Sequence, residues 1–297
     1  MRYTLKNEQL TVSVDSFGAE LTSIVDKNGT EYLWCGDSKY WGRHSPVLFP
    51  VVGKPRDGKY TYEGKEYAMG QHGFARDMEF TCTKQEQEEI WFALNSTEET
   101  LAKYPFAFCL EIGYRLMENT VKVMWKVTNR EQEKDMHFSI GAHPAFMCPL
   151  DEKEEKTAYS IQMNAKDKVT YSFLNAANGL LVEKEYELKL ENGVHKITED
   201  FFDESAYVIE NSQVSEVSLV NPQGKAYITV KFDAPLVGIW SPEKKNAPFV
   251  CIEPWYGRCD KENFAGTLEE REWSNQLAAG GVFEAAYDIC MVDVRRL

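Results

Sequence analysis

The sequence predicts an all-β fold, a large antiparallel β-sandwich with a few short helices, and three observations carry that expectation. Apolar residues recur with a period of two along most of the 297 residues, from Leu10, Val12 and Val14 to Phe283, Ala285, Tyr287, Ile289 and Met291. Turn dipeptides such as Asn28-Gly29, Glu63-Gly64 and Glu118-Asn119 separate the alternating runs. Two runs, 236–240 and 249–252, are apolar at both parities, as strands covered on both faces of stacked sheets must be.

In chain order, the first strands carry Leu10, Val12 and Val14, then Ala19 and Leu21 after the turn Phe17-Gly18. Residues 31–34 are expected to complete a strand pair after Asn28-Gly29, and a second hairpin spans residues 59–69, where Tyr60, Tyr62 and Tyr67 flank Glu63-Gly64. Ser96-Thr97-Glu98-Glu99 is an N-cap signature, and Pro105 stops the short helix that follows. The clearest pair comes next: Phe106, Phe108, Leu110, Ile112, Tyr114 and Leu116 alternate, and Val121, Val123, Trp125 and Val127 alternate back. Along residues 136–143 an extended strand places Met136, Phe138, Ile140 and Ala142 on one face and His137, Ser139, Gly141 and His143 on the other. The charged segment 151–156 reads as a solvated loop, and alternation resumes at Tyr159, Ile161 and Met163 and again at Ala226, Ile228, Val230 and Phe232. No internal repeat or Pro/Gly/Ser linker divides the chain, so residues 1–297 are expected to form a single domain.

Charge and cysteine usage narrow the function classes. A formal net charge of -14, from 33 basic and 47 acidic side chains, opposes a broad nucleic-acid surface or an anionic membrane. A local basic pocket stays compatible with that total. Residues 1–10 hold no apolar leader core, and no run approaches the roughly 18 apolar residues of a spanning helix. The simplest expectation is a soluble cytoplasmic protein. Seven scattered cysteines with no C-x-x-C pair read as free, mostly structural thiols rather than a disulfide framework or a zinc site.

Three stretches hold residues of catalytic type, and each has an ordinary structural reading when taken alone. Gly141-Ala142-His143-Pro144-Ala145-Phe146 and Gly70-Gln71-His72-Gly73-Phe74-Ala75-Arg76 each set a histidine in a tight local context, which a satisfied core or loop histidine also explains. Cys251-Ile252-Glu253-Pro254-Trp255 ends an apolar strand in a carboxylate, which must pair or have its proton affinity raised by burial. Either fate suits a catalytic base, and a structural ion pair is the alternative. Upstream, Trp41-Gly42-Arg43 offers a guanidinium that can fork hydrogen bonds onto hydroxyls, carboxylate or phosphate, with Lys54 and Arg56 nearby.

In order, Gly42-Arg43-His44-Ser45-Pro46-Val47-Leu48-Phe49-Pro50, the HGFAR stretch, GAHPAF, Asp203 ahead of an aliphatic strand and CIEPW resemble the aldose 1-epimerase (galactose mutarotase-like) superfamily, closest to the bacterial branch found beside lactose-utilisation genes. The resemblance covers nearly the whole chain. It implies a β "supersandwich" with a sugar in an open groove and interconversion of α and β anomers without cofactor or metal, in keeping with the lack of an H-x-H or H-E-x-x-H spacing here. It also implies Glu253 as the base that takes the C1 hydroxyl proton, His143 as the acid that protonates the ring oxygen, and His72 as a hydrogen-bonding partner near that oxygen. Arg43, Asp203, Arg76 and Trp255 would bind the substrate. Pro46-Val47 stand where the galactose-specific branch carries an Asn-Arg pair, so the expected partner is a small-molecule sugar or sugar phosphate, with homo-oligomerisation left open. The alternatives are a sugar-binding or sensing protein without turnover, and a glycoside-cleaving enzyme using Asp203 as second carboxylate.

Overall fold

The computed structural model describes residues 1–292. Among these, strands dominate and every strand pairing is antiparallel. Two large sheets form the architecture. One has nine strands, with Val282–Met291, Thr120–Asn129 and Phe108–Met117 side by side at its centre. The other has eight, in which Phe249–Tyr256 lies between Leu236–Trp240 on one side and Ile140–Ala142 and Ala145–Met147 on the other.

The alternation seen in the sequence explains how the sheets meet. Ile112, Val123, Trp125, Val230 and Ile289 from the nine-stranded sheet share one core cluster with Ile209, Val237, Ile239, Val250 and Ile252 from the eight-stranded sheet. Phe249, Cys251 and Trp255, at the opposite parity of the same strand, belong instead to two smaller clusters on the outer face. This explains why that strand is apolar at both parities: its even residues fill the sandwich, and its odd residues build what lies outside it. Glu253 has odd parity.

The long hairpin pairs Trp125 with Ile112, and its turn runs through Glu118 at φ +52°. Lys59–Tyr62 and Lys65–Ala68 form the expected second hairpin around Glu63-Gly64. Thr97 caps the six-residue helix Glu98–Lys103 by accepting from the Thr100 N–H, while Thr100 Oγ1 accepts from the Thr97 N–H in return. No helix among the described residues is long and apolar enough to cross a membrane.

Three local expectations are corrected. Residues 31–34 form isolated bridges rather than a strand, because Tyr32 and Trp34 exchange backbone hydrogen bonds with Ala145 and Met147 of the large sheet. Residues 136–142 split into Met136–Phe138 and Ile140–Ala142, which pair in different sheets. Lys156, at the end of the charged segment, is buried rather than solvated.

Ile252 is fully buried between the sheets. Ile252→Ala is expected to cost about 2–5 kcal/mol, read as a lower urea midpoint with an unchanged m-value. A midpoint equal to that of the parent would contradict this placement.

Candidate active site

The register of three strands assembles the site. Gly141 lies opposite Trp255 on one side and Leu48 on the other. His143 therefore leaves the sheet beside the strand that carries Glu253, and the segment before Val47 brings Trp41 and Arg43 to the same cavity. Trp255 lies across two glycines: a Cβ at Gly141 would come within 2.6 Å of its ring, and one at Gly238 within 2.5 Å. Its indole N–H donates to the Ala142 carbonyl at 3.2 Å, which ties the strand that carries Glu253 to the one that leads into His143.

His143 Nε2 lies 3.3 Å from Glu253 Oε2, and Glu253 is only 1% exposed. The contact is close without being aligned as a hydrogen bond, and neither Glu253 Oε2 nor His143 Nδ1 has another partner. Burial pushes the Glu253 carboxyl well above the usual range, opposed by a hydrogen bond from Trp255. Burial, reinforced by the charges of Arg76 and Arg43, lowers His143 to about 3. Both directions favour a carboxylic acid facing a neutral imidazole, so the pair holds one proton between them.

The imidazole of His143 is held by aromatic rings. Trp41 stacks on it at 4.7 Å and 27°, and Trp240 meets it edge-on at 5.4 Å. Trp240 is anchored in turn by its N–H, which donates to Glu243 at 3.1 Å. The His72 ring lies 5.6 Å from that of His143.

His72 occupies a left-handed backbone conformation, φ +65°, which costs a non-glycine residue about 1–2 kcal/mol. The conformation is fixed by two bonds to one residue: the His72 N–H donates to the Gly53 carbonyl at 2.7 Å, and the Gly53 N–H donates to His72 Nδ1 at 3.1 Å. With Nδ1 acting as acceptor, the neutral ring carries its proton on Nε2. Burial and the neighbouring His143, Arg76 and Arg43 hold His72 well below its ordinary value, which keeps it in that neutral form.

The loop that grips His72 is itself gripped from below. Asp260, buried, accepts from Arg271 Nε at 2.6 Å and from the Arg56 N–H at 2.8 Å, and its own N–H donates to the Lys54 carbonyl at 3.2 Å. Arg43 donates to Asp77 at 2.8 Å, and Arg76 donates to the Gln71 carbonyl at 2.8 Å. Burial beside Arg43 lowers Arg76 to about 10, and its Nε has no hydrogen-bond partner.

His143, Glu253, His72, Arg43, Arg76 and Trp255 thus line one cavity of about 510 Å³. Asp203 does not. It borders a separate cavity of about 500 Å³, because Phe201 and Phe202 are both buried and anchor their turn on the far side of Ser241 and Pro242. From that stretch Ser205 and Ala206 reach the histidine cavity instead. Sequence reasoning left out Trp240 and Glu243, which line it together with Trp41 and Lys54 from the stretch around Arg43. Trp240 was detectable in principle, since it ends the doubly apolar strand that pairs Gly238 with Glu253.

A cleft of about 680 Å³ around Asn7, Lys27 and Glu118 is larger, but contains no histidine and no fully buried carboxylate, so chemistry rather than volume locates the site. Ligand atoms of His143, Cys251 and Glu253 lie within 4.8 Å of one another. They make a poor cation site: burial and Glu253 push the Cys251 thiol well up, and the arginines add positive charge beside His143.

The chain belongs to the aldose 1-epimerase family, whose model matches residues 1–281. Within it, the chain is 32% identical over 300 residues to the plasmid-borne protein LacX of Lactococcus lactis subsp. lactis, covering 99% of this chain and 100% of that one. It is also similar to the structure of a galactose mutarotase related enzyme from Lactobacillus acidophilus (TM-score 0.92, 34% identity, 99% and 98% of the two chains). A galactose mutarotase-like protein from Lactobacillus casei gives a TM-score of 0.91 at 30% identity, covering 98% and 100%.

Gly141→Ala places a methyl group where the Trp255 ring now lies. An overpacking cost of roughly 1–3 kcal/mol is expected, measured by urea unfolding. An unperturbed variant would show that Trp255 is not held by that glycine.

Proposed function

We propose that this chain is a cofactor-independent aldose 1-epimerase that interconverts the α and β anomers of a hexose or hexose phosphate by general acid/base ring opening. The observation that carries the reading is the His143–Glu253 pair, whose facing atoms lie 3.3 Å apart at the wall of an open cavity.

Opening a cyclic hemiacetal removes a proton from the C1 hydroxyl, breaks the bond between C1 and the ring oxygen, and delivers a proton to that oxygen. With Glu253 ionised and His143 protonated, the carboxylate takes the first proton and the imidazolium gives the second. The products are an open-chain aldehyde, a carboxylic acid and a neutral imidazole. That is the protonation arrangement burial favours here. The site therefore stabilises the stage at which C1 must turn about its bond to C2, and reverse transfers then close the ring on its other face. The adjacent Nε2–H of His72 supplies a neutral donor near the ring oxygen, and Trp255 offers an apolar wall.

Charge in the cavity supports a phosphorylated sugar. Lys54 lines it without an ion pair among the described residues, and Arg43 and Arg76 stand nearby over the single carboxylate of Asp77.

His143→Asn and Glu253→Gln are each expected to lower kcat/KM by about 10²- to 10⁴-fold with the circular-dichroism spectrum unchanged. Polarimetry or anomer-resolved NMR exchange with α-glucose, α-galactose and their 6-phosphates measures this. No acceleration over buffer with any of them would overturn the reading, and sugar affinity without turnover would favour a sensor. Lys54→Ala should weaken the 6-phosphates selectively.

The pH dependence follows from the same pair. Activity needs one shared proton, and because His143 is lowered to about 3, a second proton is not taken up until the pH falls toward that value. The expected profile of kcat/KM therefore shows no acid limb near the ordinary histidine value of about 6.5. A limb there would show that His143 titrates as an exposed imidazole.

A further inference from the structure

Behind the wall formed by Ser241 and Pro242 lies the second cavity, of about 500 Å³. Lys156 lines it, although the residue is only 7% exposed. Its Nζ has Ser241 Oγ at 3.1 Å and the Phe202 ring centroid at 5.3 Å, and among the described residues no carboxylate pairs with it. The Ser241 hydroxyl is committed to the Phe249 carbonyl at 2.8 Å, so it is left to accept from the lysine rather than to donate to it.

An ammonium in that position is poorly compensated, and burial lowers Lys156 to about 8. A neutral amine with its lone pair free is a nucleophile. The surrounding charge decides what it takes. Glu155, Glu199 and Asp203 face the same cavity against Lys156 and Lys244, so the balance is negative and opposes a free anion. A neutral electrophile is not opposed, and the polar rim of Thr157, Thr198 and Asn246 matches a hydroxylated one.

We propose that Lys156 is a nucleophilic amine and that this cavity takes small hydroxylated aldehydes, which the lysine binds covalently as imines. Nζ adds to the carbonyl carbon, the carbonyl oxygen takes up the proton that the nitrogen sheds, and loss of water leaves a carbon–nitrogen double bond. No oxidant or reductant is needed for that step. The site is separate from the histidine cavity and does not rest on the epimerase reading.

The test uses the full chain with glyceraldehyde as probe and cyanoborohydride to reduce the imine, followed by peptide mass spectrometry. At pH 7.5 an amine titrating near 8 is about a quarter neutral, against about a thousandth for an ordinary lysine. Allowing for its lower basicity, Lys156 should label roughly tenfold faster than the exposed Lys153 and Lys6. Its labelling should saturate with probe concentration, and the His143→Asn protein should label identically. Lys156→Arg removes that label while keeping a cation, and leaves the labelling of Lys153 and Lys6 as it was. Labelling of Lys156 no faster than of those two, or without saturation, overturns the proposal; labelling that disappears in His143→Asn would assign the aldehyde to the other cavity and overturn it as well.

Discussion

The structure depends on keeping a carboxyl group almost wholly buried at the wall of a cavity. Glu253 sits at the odd parity of a strand whose even residues fill the sandwich, and its Oε2 lies 3.3 Å from His143 Nε2 without an aligned hydrogen bond. Leaving such a group unsatisfied is expensive. The cost is bounded by neutralisation: a protonated carboxyl beside an unprotonated imidazole carries no net charge into the low-dielectric interior. Much of the surrounding architecture serves to maintain that arrangement. Trp41 and Trp240 exclude solvent from His143 on two sides, and Arg76 and Arg43 oppose its protonation.

The arginines have a second consequence. Two guanidiniums near one cavity repel each other, and Asp77 meets both, accepting from Arg43 at 2.8 Å and lying 3.8 Å from Arg76. Asp77 is half exposed on its side chain, so this compensation is screened and partial. The remaining positive potential acts on the histidines and on anything that enters. The same two arginines thus act on both histidines of the cavity.

How much of this was legible in the sequence depended on whether the signal was local. Period-two alternation is a property of single strands, and it located the long hairpin and the 59–69 hairpin correctly, as the N-cap signature located the short helix. His143, His72 and Glu253 stand in short distinctive motifs, and those motifs share one cavity. Residues 31–34 were read in part: Glu31 bridges Val25 across the turn, whereas Leu33 bridges Phe146, more than a hundred positions away, a pairing no local pattern reveals. Asp203 was placed by its position ahead of a strand, which fixes neither the direction of its turn nor the burial of Phe201 and Phe202 that sets it. Trp240 and Lys54 reach the cavity only through sheet register and loop packing, so composition could not separate them from ordinary core and surface residues. Lys156 lay in a run of charges whose other members are mainly exposed, and tertiary context alone withdraws it.

The loop that carries His72 shows how precision is supplied from a distance. His72 has an unfavourable backbone conformation and cannot hold it through its own propensity, so its ring and main chain are both bonded to Gly53. Gly53 and Lys54 would be an exposed turn but for Asp260, which binds the loop at the Lys54 carbonyl and the Arg56 N–H. Asp260 is in turn neutralised by Arg271, whose Nη2 also donates to the Arg258 carbonyl at 3.1 Å. A buried ion pair of this kind contributes little net stability, because desolvation offsets most of its attraction. Its worth lies in direction: a carboxylate with both oxygens committed fixes the loop, and the Gly53 N–H of that loop fixes the tautomer of His72.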